Sequence, residues 1–161
     1  MSSGHRSHQR VQEALEAVGV EATVRELTES TRTAAEAAAA LGVDVAQIAK
    51  TLVFLADGNA VVVVASGIDR VDTTRLSAAL EGAEIGRADA DAVRAATGYP
   101  IGGVSPAGLP AGLPVLIDDG LRDRDGIWAA AGTPTAVFRT TFDELLTVTA
   151  GRPVSVAVER D

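Results

Sequence analysis

Residues Lys50–Ala65, KTLVFLADGNAVVVVA, predict a β-hairpin. Two apolar runs rich in β-branched residues, Thr51–Ala56 and Ala60–Ala65, flank the sequence DGN at 57–59. Asp-Gly is typical of the tight turns that join antiparallel strands. Four consecutive valines leave the second strand without a polar face, so we expect both of its faces to be covered. The hairpin should therefore lie at the centre of a sheet.

Shorter elements are predicted on both sides of this hairpin. Val11, Leu15 and Val18 recur at helical spacing before Gly19, which predicts an amphipathic helix with a glycine stop. Helices are also predicted from 31 or 33 to 41, from 72 or 73 to 80, at 89–97 and at 141–148, with a brief turn at 45–49. Strands are predicted at 22–27, 83–85, 115–117, 127–130, 136–139 and 154–158. This irregular mixture favours an α+β fold with a mixed sheet over a doubly wound one.

Length, composition and charge restrict the class of protein. With 161 residues, of which 47% are hydrophobic and 22% charged, we expect one domain over 1–161, with 1–6 as a frayed tail. Cysteine is absent, which excludes disulfides, thiolate nucleophiles and cysteine-ligated metals. The net charge of -8 argues against a broad nucleic-acid-binding surface. No apolar run reaches the roughly 18 residues of a membrane span, so we expect a cytoplasmic chain without membrane contact.

Few side chains are available for histidine or metal chemistry. The two histidines, His5 and His8, both lie close to the N-terminus, which argues against a serine-histidine-aspartate mechanism. Two such ligands without a third nearby do not predict a metal site. The aspartates of 118–125, beginning with Asp118, lack the spacing of a calcium loop and predict a solvated acidic turn. We therefore expect neither a metal nor a cofactor.

Lys50 is the only lysine among 14 basic residues, the others all being arginines. It opens the most apolar predicted strand, where a long side chain can cross the mouth of a cleft. A compact ammonium suits an ester oxygen or a phosphate, and Arg does not replace it there. The alternative is a lysine whose stem covers the core while its head reaches water. The residues alone leave both interpretations open.

The segment 98–114, GYPIGGVSPAGLPAGLP, contains too much glycine and proline for a regular element. It lacks the GxxxxGK[ST] pattern and follows a helix, so it predicts neither a phosphate-binding loop of the triphosphate type nor a dinucleotide fingerprint. Gly102 and Gly103 can bring backbone N–H groups close to a carbonyl or phosphate oxygen. On these residues alone, a flexible surface loop is the favoured alternative.

Three blocks of sequence resemble a known family: AAEAAAALGVDVAQIAKTLVF, TGYPIGGVSPAGL and IWAAAGTPTAVFRTTFDEL. In order and spacing they are similar to the YbaK/ProX family, the freestanding relatives of the editing domain inserted in bacterial prolyl-tRNA synthetases. The resemblance implies a compact α+β domain with a mixed, partly closed sheet surrounded by short helices. It also implies trans-editing: hydrolysis of the ester of mischarged tRNA, most often tRNA for proline, in the cytoplasm.

The same resemblance implies site residues and partners. The functional lysine of the family corresponds to Lys50, and its glycine loop to Gly102 and Gly103, which we take as the catalytic residues. The implied substrate-binding residues are Thr97, Gly98, Tyr99, Ser105, Pro106, Gly132 and Thr133. The implied partners are the acceptor end of mischarged aminoacyl-tRNA and prolyl-tRNA synthetase, with no double-stranded DNA and no membrane.

As a hypothesis, the N–H groups of Gly102 and Gly103 stabilise the oxyanion while Lys50 holds the ester or the terminal phosphate. Whether Lys50 acts as an anchor or in proton transfer stays open. The AAGT sequence at 130–133 and Leu27 depart from the cysteine-specific members, so alanine, serine, threonine and cysteine all remain candidates for the amino acid removed. The alternatives to a deacylase are a non-catalytic module that binds aminoacyl-tRNA or a synthetase, and a plain interaction domain.

Overall fold

The computed structural model describes residues 3–28, 33–124 and 126–159 of the chain. The helices are α1 Ser3–Ala17, α2 Ala34–Leu41, α3 Thr73–Ala79, α4 Ala90–Thr97 and α5 Phe142–Thr149. The strands are β1 Arg25–Glu26, β2 Ile48–Ala56, β3 Asn59–Ser66, β4 Ile85–Arg87, β5 Val115–Asp118, β6 Ile127–Ala130, β7 Ala136–Thr140 and β8 Arg152–Val154. Two 3₁₀ turns lie at Val45–Gln47 and Asp119–Leu121.

The predicted hairpin forms and occupies the middle of the sheet. Strands β2 and β3 pair antiparallel from Ala49 opposite Ser66 to Ala56 opposite Asn59. Asp57 and Gly58 both have positive φ, 49° and 82°, which matches the twist of a tight hairpin turn. The valines of β3 are at most 2% exposed and alternate between two hydrophobic clusters. The prediction of a strand covered on both faces is therefore confirmed.

The eight strands form one mixed sheet in the order β1-β7-β6-β2-β3-β5-β8, with β4 paired to β2 outside this path. Three pairs of neighbouring strands are parallel, namely β2 with β6, β3 with β5, and β5 with β8. The other pairs are antiparallel. The α+β domain with a mixed sheet is thus confirmed. Each short helix starts with a side chain that accepts backbone N–H bonds, as Thr33, Asp72, Asp89 and Thr141 do for α2 to α5.

One edge of β2 is incompletely paired, and this gap positions the candidate site. On that edge β6 pairs only with Ile48 and Ala49, and β4 pairs only with Phe54–Ala56. Between them, the residues from Lys50 to Val53 have β3 on one side and no strand on the other within the described chain. The backbone and side chains of this stretch are therefore open to a ligand.

Two predicted strands are displaced along the sequence. The strand predicted at 83–85 forms at Ile85–Arg87, because Ala83 belongs to the turn after α3 and its carbonyl accepts a bond from Ser77 Oγ at 2.6 Å. The strand predicted at 154–158 forms at Arg152–Val154. Asp118 explains this shift, since its Oδ1 accepts the N–H groups of residues 156 and 157 at 2.8 and 3.2 Å.

The prediction of a solvated acidic turn at 118–125 is confirmed for Asp119 and Asp123, which are exposed, and is wrong for Asp118. This carboxylate is only 2% exposed, and its second oxygen accepts the Gly120 N–H at 2.9 Å. A buried carboxylate needs such partners, and three backbone N–H groups supply them. Asp118 therefore ties β5 to the C-terminal segment, while the placement of Asp125 lies outside the described residues.

The predicted tail at 1–6 is wrong from Ser3 onward, because α1 already begins there. Residues 1 and 2 lie outside the described part. Further along the helix, His8 Nε2 lies 3.0 Å from a carboxylate oxygen of Glu26 and 3.3 Å from Thr133 Oγ1. These contacts fix the first half of α1, which the apolar spacing alone did not reveal. In the described ranges, no helix is long and apolar enough to cross a membrane.

Candidate active site

A cleft of about 500 Å³ opens beside the unpaired edge of β2. Its walls come from β2, the glycine-rich loop 98–114, α2 and the ends of β6 and β7. Most of the lining is aliphatic, with few polar groups, which is usual for a small-molecule site. The residues that carry polar or aromatic groups into it are Thr33, Lys50, Thr51, Phe54, Arg70, Arg87 and Trp128.

Lys50 lines this cleft, and its head group is held in place. Its Nζ donates a hydrogen bond to the backbone carbonyl of Asp69, a residue that is buried. Burial lowers the pKa of Lys50 from its ordinary 10.5, and the nearby Asp69 carboxylate opposes this shift. A lysine with its head bonded inside the cleft differs from one that only covers the core and reaches into water. A functional role for Lys50 stays a prediction.

The glycine loop approaches the same cleft through a tight turn. The Gly103 N–H donates to the carbonyl of Pro100 at 3.0 Å, and Gly102 has a φ of 84° at the third position of this turn. The hypothesis that both N–H groups face a ligand is therefore wrong for Gly103, whose N–H is engaged within the loop. The Gly102 N–H makes no hydrogen bond within the described part of the chain, and Gly102 lines the cleft.

Arg10 of α1 and Tyr99 hold the loop 98–114 in place from outside the cleft. Arg10 donates to the carbonyls of Gly108 at 2.6 Å and Thr97 at 3.0 Å, and its guanidinium lies 4.5 Å from the centre of the Tyr99 ring. The Tyr99 hydroxyl donates to the Ala107 carbonyl at 2.7 Å. Burial raises the pKa of Tyr99 to about 12, while Arg10 opposes this shift. A segment without regular structure is thereby fixed at its start and near its middle.

The residues predicted to bind substrate do not line the cleft. Four of them are buried within or next to the loop 98–114 and do not face the cleft, namely Thr97, Tyr99, Ser105 and Pro106. The hydroxyls of Thr97 and Ser105 accept the N–H groups of residues 99 and 107, both at 3.1 Å. Gly98, with a φ of 80°, ends α4. In this structure these residues support the loop, and their contact with substrate stays a prediction.

Gly132 and Thr133 lie next to these buried loop residues, and they too are outside the cleft lining. A Cβ atom on Gly103 would come within 2.8 to 3.0 Å of the Thr133 backbone, so Gly103 is where two loops touch. A Cβ on Gly132 would lie 2.7 Å from the Ser7 Cβ, against α1. These two glycines permit close packing of backbone segments. Of the predicted site residues, the structure brings only Lys50 and Gly102 together at the cleft.

Several cleft residues were missed at the sequence level. Arg70 and Arg87 are exposed at the cleft, and Thr51 Oγ1 is buried there without a hydrogen-bond partner. Arg87 reaches the site because β4 pairs it with Phe54 on β2, a register that the sequence does not reveal. Trp128 could have been singled out from the sequence, because it is the chain's one tryptophan. Among the described residues, no group of three side chains is arranged to hold a metal ion.

The fold and the cleft together define an editing-domain architecture. The model of the aminoacyl-tRNA editing domain matches residues 28–148, which include the hairpin, the glycine loop and β5 to β7. The chain belongs to the aminoacyl-tRNA editing domain family. The resemblance to the YbaK/ProX family, noted from the three sequence blocks, is therefore confirmed.

Similar proteins also support membership of this family. A crystal structure of a candidate trans-editing enzyme for prolyl tRNA synthetase superposes with a TM-score of 0.87 at 42% identity, covering 95% of this chain and 98% of that one. The proline–tRNA ligase of Lysinibacillus sphaericus is 35% identical over 104 residues, which are 64% of this chain and 18% of the ligase. The chain thus spans about a fifth of the length of that ligase. Protein YwhH of Bacillus subtilis, uncharacterised, is 32% identical over 76% of this chain and 78% of its own length.

Proposed function

We propose that this protein is a freestanding aminoacyl-tRNA deacylase that removes a small, wrongly attached amino acid from tRNA, with tRNA for proline as the first candidate substrate. The observation that carries this proposal is that Lys50 and Gly102 line one cleft in an editing-domain fold. The similarity to proline–tRNA ligases and to a candidate trans-editing enzyme supports the choice of tRNA. Cytoplasmic location and action beside prolyl-tRNA synthetase are parts of the same proposal.

The cleft suits the end of an aminoacylated tRNA. Aliphatic lining residues such as Val53, Val93 and Val104 can cover a small side chain, while Lys50 provides a charged group in the same cleft. A pocket of this kind distinguishes side chains by only about 1 to 3 kcal/mol per methylene. The exposed guanidinium groups of Arg70 and Arg87 provide positive charge for the terminal phosphate, although the chain is acidic overall.

The proposed reaction needs little chemical assistance, because an aminoacyl ester is already activated. A water oxygen attacks the ester carbonyl carbon, and the Gly102 N–H donates to the oxyanion that develops. The bond between this carbon and the ribose oxygen then breaks. The ribose oxygen takes up a proton derived from the water, which leaves the free amino acid and the uncharged tRNA end. The neighbouring ribose hydroxyl can orient the water.

Lys50 is proposed to act as a fixed cation rather than as a base. Its hydrogen bond to the Asp69 carbonyl restricts the side chain, so that the ammonium can hold the ester or the terminal phosphate without further ordering. A guanidinium would be larger and planar, which explains why a lysine occurs here in a chain that otherwise uses arginine. Lys50, Gly102 and water suffice for this mechanism, so we propose that the reaction is independent of metal.

The test is hydrolysis of tRNA for proline charged with alanine, cysteine, serine, threonine or proline by the purified protein. We expect one mischarged species to be hydrolysed and prolyl-tRNA to be spared. A chelator should leave the rate unchanged, and a loss that zinc restores would contradict metal independence. Binding of these species without hydrolysis of any would instead support a non-catalytic binding module.

A further inference from the structure

Trp128 lies on the same face of the sheet as Lys50. In the parallel pair of β2 and β6, Trp128 is the direct partner of Ile48. Side chains alternate along a strand, so Lys50, two residues after Ile48, shares its face. Trp128 is half-buried, with its ring packed against the cluster of Ala37, Ala38 and Ile48. An aromatic surface therefore lies one strand away from the proposed catalytic cation.

Two exposed arginines flank this ring. Arg139 is the direct partner of Trp128 in the antiparallel pair of β6 and β7, which brings the two side chains together on one face. From β1, Arg25 places its guanidinium carbon 5.8 Å from the centre of the indole ring. A tryptophan ring and two guanidinium groups thus lie together on a chain with a net charge of -8.

This surface adjoins the cleft at Trp128. Trp128 lines both the cleft and a second groove of about 550 Å³, and Arg25 and Arg139 line that groove. Glu21 and Glu144 also line it, and Glu144 accepts a hydrogen bond from Thr140 at 3.2 Å. The mixture of charges does not suit a long duplex, which needs a broad basic surface. It suits a short unpaired strand that stacks while its phosphates meet the two arginines.

We propose that Trp128, Arg25 and Arg139 form a docking platform for the unpaired nucleotides that precede the terminal adenosine of the substrate. The inference rests on the proposed deacylase function and extends it beyond the cleft. Bases stack on indole rings and on guanidinium planes with little dependence on sequence. The platform would hold the strand while the terminal adenosine and its ester enter the cleft beside Lys50.

The direct test uses the intrinsic fluorescence of Trp128, which reports on this one position because the chain has a single tryptophan. We expect an unpaired RNA tetranucleotide ending in CCA to change this fluorescence saturably. The double variant Arg25→Gln/Arg139→Gln should weaken binding at least about tenfold. The control is Arg152→Gln, which changes one charge on β8 at the opposite end of the sheet and should leave binding nearly unchanged. An unchanged fluorescence, or equal weakening by the control, would overturn the proposal.

A kinetic comparison separates docking from catalysis. Trp128→Ala should raise the KM for aminoacyl-tRNA roughly tenfold with little change in kcat, and Trp128→Phe should restore most of the loss. In the double variant Arg25→Gln/Arg139→Gln, the rise in KM should be much smaller for aminoacyl-adenosine, which lacks the preceding nucleotides, than for aminoacyl-tRNA. An effect of Arg87→Gln on KM without an effect at Trp128 would place the strand on the other side of the cleft and overturn the platform. If the wild-type protein hydrolyses neither substrate, the deacylase proposal fails, and the fluorescence titration alone decides the platform.

Discussion

The β2–β3 hairpin and the loop 98–114 both line the cleft, but they are held by different interactions. The hairpin is a continuous ladder in which each residue from Ala49 to Ala56 has a partner on β3. The loop has no ladder, and a few contacts from Arg10, Tyr99 and Thr97 fix it. Many backbone hydrogen bonds of the ladder thus position Lys50. Only a few side-chain contacts position the loop that carries Gly102. Single substitutions of residues that only support the site should therefore disturb its loop side far more than its hairpin side.

The largest effect is expected at Gly103, where loop 98–114 touches the backbone of Thr133. In Gly103→Val, the new Cβ would lie within 2.8 to 3.0 Å of three backbone atoms, and these cannot move aside cheaply. We expect the free energy of unfolding to fall by about 3 kcal/mol. Turnover should fall roughly 100-fold, because Gly102 is displaced with the turn. Urea unfolding and deacylation rates measure the two effects.

The control for Gly103 is Gly112→Val in the same loop. Gly112 has a φ of 86°, but nothing lies within 4 Å of a Cβ there, so this variant adds backbone strain without a collision. It should leave turnover close to that of the wild type. Equal losses of turnover in both variants would mean that the contact with Thr133 does not position the site.

An intermediate effect is expected at Arg10, which is remote from the cleft lining. Arg10→Met keeps much of the stem but removes the bonds to the carbonyls of Gly108 and Thr97 and the contact with the Tyr99 ring. We expect a loss of about 2 kcal/mol in the free energy of unfolding. Turnover should fall roughly tenfold, mainly in kcat, because the loop loses its support.

The matched variant on the hairpin side is Gly58→Ala. Its φ of 82° makes alanine strained, and we expect a loss of about 1 kcal/mol in stability, with nothing within 4 Å to be displaced. Turnover should stay unchanged, since the ladder keeps Lys50 in place. A fall in turnover at Gly58 as large as at Arg10 would contradict the proposed difference between the two regions.

The smallest effect concerns Tyr99 and appears at alkaline pH. Burial raises the pKa of Tyr99 to about 12, above its ordinary value of 10.0. Between these values the unfolded chain releases the phenol proton while the folded chain retains it, so the stability falls as the pH rises. Tyr99→Phe should lose about 1 kcal/mol at neutral pH with the bond to Ala107. Its stability should then decline less steeply than that of the wild type above pH 10, as unfolding at successive pH values would show.

Much of the hairpin side could be predicted from the sequence because local pattern determines it. The valine run, the DGN turn and the single lysine of the chain identified β2, β3 and Lys50 without knowledge of other contacts. The loop side depends on pairings between distant residues. Nothing near Gly103 in sequence indicates that Thr133 lies against it, or that the Gly103 N–H bonds to Pro100.

The same limit explains the misplaced elements and the missed residues. The burial of Asp118 depends on N–H groups of residues 156 and 157, far along the chain. The position of Trp128 beside Lys50 depends on a parallel strand pairing. The resemblance to a family supplied the proposed function and the catalytic candidates, whereas none of the predicted substrate-binding residues lines the cleft.

The most direct test of the central claim is the single-turnover rate of deacylation by Lys50→Met beside the wild type. Methionine keeps the apolar stem and removes only the cation, and thermal unfolding would check that the fold is intact. We predict that the rate on the preferred mischarged tRNA falls at least about 100-fold, with the melting temperature close to that of the wild type. A rate within a factor of about two of the wild type would contradict the claim that the Lys50 ammonium forms the catalytic site with Gly102.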